Sequence, residues 1–492
     1  MHYIMKKKHY RISVLLFVLF CGFVSACKVG QNYQRPELVL PEKYRDEIVP
    51  ADSIGIGNIY WKDFFVDTTL QKLIDSAIVN NYDMRKALRT VQIAEQIMFQ
   101  NRAQFFPTIT GQLADVDRSY RSRNALSTPS TRYYVDRNRT APKDGYIIGS
   151  NHVTGISLSW EADIWGKIRR QNESALADYL ETYEARKLLQ TQLVADVAEG
   201  YYNLLMLDAQ MEVAKRNLRL NDSTLRIVKL LRDAGEPNVT SLAIQQTENQ
   251  RLSTAALIPQ LERQIVIQEN TLRALAGQLP DSISRNASIS DLIIEDSVSA
   301  GVPLYMVGHR PDVRAAELAL RSKNAQVGVA QSYRYPSLTI DLEGGLNSML
   351  PTNWVKIPGS LFGSIAGGLT QPIFQQRRLK TNLEVAKLER EQAELDFQQT
   401  VLDAINEVTN TLITLKKLSE EYEIGEQRVK VSQLGVQQAN LLFKAGYATY
   451  LEVITAQQNA IDSELELNEL RQQQLVARVE LYRALGGGWQ AE

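Results

Sequence analysis

Two periodicities take turns along the chain. From about Thr68 to Gln104, Leu70, Leu73, Ile74, Ala77 and Ile78 recur at spacings of three and four, which predicts a helix with one apolar face. Phe105-Phe106-Pro107 closes that stretch, and the period drops to two. Ile109, Gly111 and Leu113 alternate with Thr110, Gln112 and Ala114. After a long polar segment, Thr154, Ile156, Leu158 and Trp160 alternate with Gly155, Ser157, Ser159 and Glu161. These predict strands over ~107–118 and ~150–162 with one apolar face and one small or polar face. Beyond Gly166 the helical period returns and runs to Leu231 without a proline, with a stripe of Leu189, Leu193, Val197, Tyr201 and Leu205. At ~1.5 Å per residue such a helix could reach roughly 100 Å, so it needs partners alongside it.

The same order then repeats. Strands are predicted over ~336–346, from Leu338, Ile340 and Leu342, and over ~359–372, a glycine-rich stretch. A second long helix follows from about Arg377 to Lys444, with a heptad seam of Val401, Ile405, Val408, Leu412 and Leu415. Return helices are predicted over Ser241–Ala276 and Thr449–Leu485. They end in the twin signatures Leu272-Arg273-Ala274-Leu275-Ala276-Gly277 and Tyr482-Arg483-Ala484-Leu485-Gly486-Gly487. Pro259, inside the first return helix, is expected to kink or break it. The chain therefore reads as two repeats, 67–280 and 311–492, joined by a linker over 281–310 and preceded by an extended segment from 27 to 66 that holds Pro36 and Pro41. The main length difference between the copies is the Ser119–Ser150 loop, expected outside the cell.

The turns of the two long hairpins are the most marked local features. In Leu441–Gln457 (LLFKAGYATYLEVITAQ), Gly446 stops one helix, and Thr449 with Glu452 reads as a T-x-x-E capping box that starts the next. In Leu230–Gln246 (LLRDAGEPNVTSLAIQQ), Gly235 takes the stop position and Thr240 with Ser241 opens the return helix.

Composition narrows the function. Among 492 residues, 55 are basic and 56 acidic, so no basic excess points to nucleic acid. Four histidines and two cysteines, none at ligand spacing, point away from a metal site. No phosphate-loop, nucleophile-elbow, zinc-protease or dinucleotide motif occurs, so neither catalysis nor a cofactor is expected. The N-terminus carries Lys6, Lys7, Lys8 and Arg11, an apolar core from Val14 to Val24, then Val24-Ser25-Ala26-Cys27. This order reads as a signal peptide over 1–26, and Val-Ser-Ala-Cys resembles a bacterial lipobox, with Cys27 as the lipid attachment site. An ordinary signal peptide with a chance cysteine is the alternative. More than one acyl chain on Cys27 would give a stable bilayer anchor. Lys28 stands where inner-membrane retention often has aspartate, which favours the outer membrane in the sorting scheme that this resembles.

Four strands are too few to close a barrel with a useful lumen, and lipid tolerates no open sheet edge. Either several chains share one barrel, or the strands form a soluble hairpin on a helical rod. The segments VGQNYQRP, WKDFFVDTTLQKLIDSAIVNNYDMRKAL and HRPDVRAAELALRSKNAQVGVAQSYRYPSLTI bear on this choice. They resemble the lipoprotein (NodT-like) branch of the TolC/OprM outer membrane efflux proteins, within the outer membrane factor family. The likeness covers nearly all of the chain beyond residue 26. It implies a mainly α fold with a β-barrel contribution: long antiparallel helical hairpins forming a tunnel, and four strands per chain forming a 12-stranded barrel in a homotrimer. It also implies an exit duct that works with a periplasmic adaptor and an inner-membrane pump of the resistance-nodulation-division type, moves small molecules such as drugs and toxic compounds, and makes or breaks no bond. A type I protein-secretion duct on the same fold, or a lipid-anchored structural coiled coil, are the competing readings.

In the resembled family, polar links near the second turn hold the tunnel tip shut. The matching positions here are Phe443, Ala448, Glu452 and Thr455. Glu452 keeps the acidic position, whereas Ala448 and Thr455 depart from the arginine and second acid, and Thr240, Ser241 and Ala243 of the first turn add no acid. A strong ionic lock is therefore not expected. Tyr447 and Tyr450 are candidates for an aromatic constriction instead, with helix packing as the alternative role. Glu452 is equally explained as part of a helix cap. Gly235 and Gly446 are candidate adaptor contacts. Gly446→Val is expected to leave assembly intact but weaken adaptor docking, since a β-branched side chain is poorly tolerated at positive φ; unchanged drug susceptibility of cells carrying the variant would count against that contact.

Overall fold

The computed structural model describes residues 29–38, 41, 56–122, 146–236, 239–292 and 308–490. Cys27, the 1–26 leader and most of the Ser119–Ser150 loop lie outside the described residues. The principal elements run α1 (Trp61–Phe64), α2 (Thr68–Asn80), α3 (Tyr82–Ala103), β1 (Thr108–Ser122), β2 (Tyr146–Ala162), α4 (Lys167–Asp233), α5 (Ser241–Leu275), α6 (Pro311–Ser332), β3 (Ser337–Ser348), β4 (Leu361–Thr370), α7 (Arg378–Lys444) and α8 (Tyr450–Ala484). α4 and α7 are 67 residues each and α5 and α8 are 35 each, so the repeat read from the sequence is a repeat of lengths as well as order.

One expected helix is divided, and of the kink or break expected at another position the break does not occur. The helix read across Thr68–Gln104 is broken at Asn81, which is extended at φ −56° and ψ 131°. Asn81 Oδ1 accepts from the backbone N–H groups of Asp83 (2.8 Å) and Met84 (3.1 Å), capping α3, and its Nδ2 donates to Leu275 O at 3.0 Å. A buried asparagine that satisfies three backbone groups outweighs one continued helical bond. Pro259 does not break its helix, because α5 runs through it. Ile258 and Leu261 on either side pack against Leu207, Met211 and Ala214 of α4, which holds the helix together across the missing N–H.

The described chain forms two compact units, each drawn from both halves of the sequence. The first holds 95–177 and 321–392 with the segment before residue 35. Its sheet is a single antiparallel meander in the order β1-β2-β3-β4. Ile109 faces Leu158, Leu158 faces Leu342, and Leu342 faces Ile365, so one register carries an apolar row across all four strands. β1 has a bulge between Gln112 and Asp115. The N-terminal segment is fastened to the same unit. Arg170 Nη2 donates to Gly30 O (3.1 Å) and to Asn32 Oδ1 (3.0 Å), and Asn324 Nδ2 donates to Gln31 O (3.2 Å).

The second unit holds 35–94, 178–320 and 393–492. Its core gathers Trp61, Phe65, Leu70 and Ile74 against the Leu193, Val197, Tyr201 and Leu205 stripe of α4, with Leu272 and Tyr482 from the return helices. Phe64 stacks on Tyr482 at 4.2 Å, and Tyr201 Oη donates to Asp67 Oδ2 at 2.7 Å, where Asp67 also caps α2. On α7, Val401 and Val408 of the predicted seam are buried, while Ile405, Leu412 and Leu415 are half-buried.

The repeats share one more contact. Asn81, ahead of α3, donates to the last turn of α5; Arg310, ahead of α6, donates to Ala484 O of α8 at 2.6 Å. Arg310 is buried and pairs with Asp312 (2.6 Å) and Glu407 (2.7 Å), and Glu407 also receives Arg483. Removing the buried Arg310 takes the guanidinium from Asp312, leaves Glu407 to Arg483 alone and strips Ala484 O of this donor, so Arg310→Ala is expected to cost about 3 kcal/mol in a urea or thermal unfolding series.

Candidate functional site

The turns of both long hairpins are built the same way. At the end of α4, Gly235 sits at φ 81°; its N–H donates to Arg232 O (2.9 Å) and that of Glu236 donates to Leu231 O (3.0 Å). At the end of α7, Gly446 sits at φ 77°; its N–H donates to Phe443 O (3.0 Å) and that of Tyr447 donates to Leu442 O (2.9 Å). Both are six-to-one helix stops that need a residue at positive φ, which glycine supplies without strain. A Cβ added at Gly235 would meet no atom within 4 Å, so that turn faces open space.

The helix starts differ. Thr240 Oγ1 accepts from Ala243 N at 3.2 Å and caps α5, while Ser241 is exposed. Thr449 does not accept from the backbone of α8; its hydroxyl instead donates to Glu452 Oε2. The T-x-x-E pair therefore forms as a side-chain bond instead of the expected backbone cap, because a hydroxyl–carboxylate bond is charge-assisted and outcompetes a neutral N–H···O bond. The Thr449 hydroxyl, followed by the backbone N–H groups of Glu452 and Thr449, holds the exposed Glu452 carboxyl below the usual carboxylate range. With the folded value depressed, what the cap adds to stability is present above the ordinary carboxylate pKa and fades as pH falls through the folded value.

The two turns meet in one apolar junction. Val228, Val239 and Ala243 from the first hairpin pack with Ala439, Phe443, Tyr450 and Val453 from the second. Phe443 and Tyr450 meet edge to face at 5.5 Å. Tyr450 is 3 % exposed and burial raises its hydroxyl pKa, whereas Tyr447 is 86 % exposed. The structure thus brings Phe443 and Tyr450 together and leaves Ser241, Tyr447, Glu452 and Thr455 on the surface. The partners Val228, Val239 and Ala243 escape sequence reasoning, since only tertiary packing joins positions some 200 residues apart. Polar ties continue below the junction: Gln250 Nε2 donates to Gln458 Oε1 (2.8 Å), Gln433 Nε2 donates to Glu464 Oε1 (2.7 Å), and Arg216 pairs with Glu464.

The sheet of the first unit is two-faced. Ile109, Ile156, Leu158, Trp160, Leu338, Ile340, Leu342, Leu346, Leu361, Ile365 and Leu369 share one face; Thr110, Gln112, Ser157, Ser159, Glu161, Thr339, Asp341, Glu343 and Ser364 share the other. On the apolar face Ile109, Ile156, Leu361, Ile365 and Leu369 are exposed. The outer edges of β1 and β4 pair with no strand among the described residues. Aromatic side chains mark the end where strands meet helices: Trp160 Nε1 donates to Phe105 O (3.0 Å), Trp165 Nε1 donates to Pro336 O (2.6 Å), and Trp165 stacks on Tyr335 at 4.9 Å. No helix among the described residues is long and apolar enough to cross a membrane.

A two-faced meander with open edges, together with paired helical hairpins, is the architecture of an outer membrane channel subunit. The family profile described as "Outer membrane efflux protein" matches residues 73–278 and 306–487, and the chain belongs to that family. It is similar to the cation efflux system protein CusC of Escherichia coli O6:H1, 28 % identical over 95 % of this chain and 97 % of that one. It is also similar to the probable outer membrane lipoprotein SilC of Salmonella typhimurium, 27 % identical over 97 % of this chain and 98 % of that one. A solved structure of CusC, described in terms of folding and transmembrane channel formation, superimposes with a TM-score of 0.80 at 26 % identity, covering 94 % of this chain and all of that one.

Tyr450→Ala is expected to cost about 3 kcal/mol, as for other buried aromatic truncations. Tyr447→Ala is expected to stay within about 0.5 kcal/mol, as for exposed sites. Denaturant midpoints of the two variants check both.

Proposed function

We propose that this chain is the exit duct of a tripartite efflux system and works as a homotrimer that carries small molecules to the outside. The observation that carries this reading is the two-faced sheet with two unpaired edges. In lipid every backbone N–H and C=O needs a partner, and three copies joined β4 to β1 would close a 12-stranded barrel without an edge. Its apolar face would meet the hydrocarbon, and its polar face would line the lumen. β3, with 12 residues, spans roughly 40 Å at ~3.3 Å per residue, and a tilt of about 45° brings that near the apolar band of an outer-membrane barrel. The aromatic side chains at the strand–helix end fit one interfacial girdle of such a barrel.

Cys27 would anchor each chain to the outer membrane. Val29 is buried and Arg170 pins Gly30 and Asn32 to α4, the helix that follows β2, so an acyl chain two residues upstream would enter lipid beside the sheet. The hairpin tips would be the gate and the docking point for a periplasmic adaptor, which joins the duct to an inner-membrane pump of the resistance-nodulation-division type. Phe443 and Tyr450 would brace the closed tip from inside; Thr240 caps α5, and Glu452 binds the Thr449 hydroxyl at the start of α8; Ser241, Tyr447, Gly235 and Gly446 present its outer surface. CusC is named for cation efflux, which supports export of small solutes as the task of this chain.

Planar-bilayer conductance of the purified full-length protein, wild type beside Glu452→Ala and Tyr450→Ala, tests this function. A low wild-type conductance that rises in either variant is the expected result. A large wild-type conductance unmoved by both keeps the duct and removes the gate from the 441–457 turn. Folded trimers that conduct nothing would sink the duct.

A further inference from the structure

The two return helices carry a fully buried polar residue at matching places, each four positions after a member of the tip junction. Thr247 follows Ala243 on α5, and Gln457 follows Val453 on α8; both are 1 % exposed. Their hydrogen bonding is opposite. The Thr247 hydroxyl donates to Ala243 O at 2.7 Å and lies beside the Tyr450 hydroxyl. Neither Oε1 nor Nε2 of Gln457 has a hydrogen-bond partner among the described residues. The adjacent Gln458, which is exposed, is engaged twice: it accepts from Gln250 and donates to Asp462 Oδ1 at 2.8 Å. One turn beyond Gln457, Ala460 and Ile461 are buried and apolar. A primary amide, with two donor hydrogens and an acceptor oxygen, therefore sits in the helix packing next to the junction with no partner among the described residues.

We infer that Gln457 is a built-in destabiliser of the packed tip, a gating residue that biases the junction toward opening. This rests on the gated-duct reading above. In the packed arrangement the amide is 1 % exposed and has no partner among the described residues, and a buried polar group in that condition costs more than a made hydrogen bond returns. Any shift of α8 that brings this face to water restores its bonds. The penalty thus falls on the packed form alone, and only a difference between two forms moves the equilibrium between them. Thr247 marks the contrast: the matching position on α5 holds a polar group that the helix satisfies itself, so the bias is confined to the second hairpin, where Phe443 and Tyr450 also reside.

Full-length protein in planar bilayers, wild type beside Gln457→Leu and Gln457→Met, decides the matter, with melting curves of the same preparations. Both variants keep side-chain volume and remove the amide. Their open-state occupancy is expected to fall roughly five- to tenfold, the range for relief of one orphaned buried amide, and their melting temperatures to rise. Thr247→Val, which removes a satisfied hydroxyl, is expected to shift the melting temperature downward. Gln457 variants that melt below wild type, or that open as often as wild type, overturn the inference. A conducting wild type indifferent to both Gln457 variants fails this inference alone; a wild type that never conducts fails the duct reading and this one with it.

Discussion

Every part of this chain answers to the requirement that backbone N–H and C=O groups find partners wherever water cannot supply them. The sheet meets it incompletely within one chain. β2 and β3 are paired on both sides, whereas β1 and β4 each keep one bare edge among the described residues. An apolar face such as this one cannot be left in water, and a bare edge cannot be left in lipid. Both demands would be met together if, as proposed, the sheet continued into copies of itself. The helices meet the same requirement internally, which is why they can be very long, and their ends meet it with glycine stops and side-chain caps.

The second unit depends on that economy. Besides the apolar core around Tyr201 and Tyr482, polar ties link its elements. Arg285 bridges Asp208 and Glu269, Arg310 bridges Asp312 and Glu407, and Asn221 donates to Thr254. Such ties fix which helices lie side by side and at what register. The apolar junction at the tips is small by comparison, so its balance is set by a few side chains rather than by bulk burial.

Much of this was legible in the sequence, and for physical reasons. Period two gave the strands because one face of the sheet is apolar and the other polar along its whole length; the structure extends β1 to Ser122 and starts β2 at Tyr146. The stops at Gly235 and Gly446 were legible because the positive φ they need is nearly reserved for glycine. The break at Asn81 was not, since the apolar spacing continues through it and the competing partner, Leu275 O, lies far along the chain. At Pro259 the sequence left kink and break open, and packing of Ile258 and Leu261 on α4 accompanies a helix that continues. At the tip, the fates of Tyr447 and Tyr450 differ although both are tyrosines in one turn; the face of α8 that packs on Val239 and Ala243 decides it, and no local pattern reveals that face.

Asn81 and Arg310 each clasp the last turn of a return helix. A rod fixed at one end is a lever. α8 has 35 residues, or roughly 50 Å at ~1.5 Å per residue, so a tilt of about 5° at the clasp sweeps the far end through about 4 Å. A tilt that small at the clasp would be magnified at the tip into a displacement as wide as a small solute.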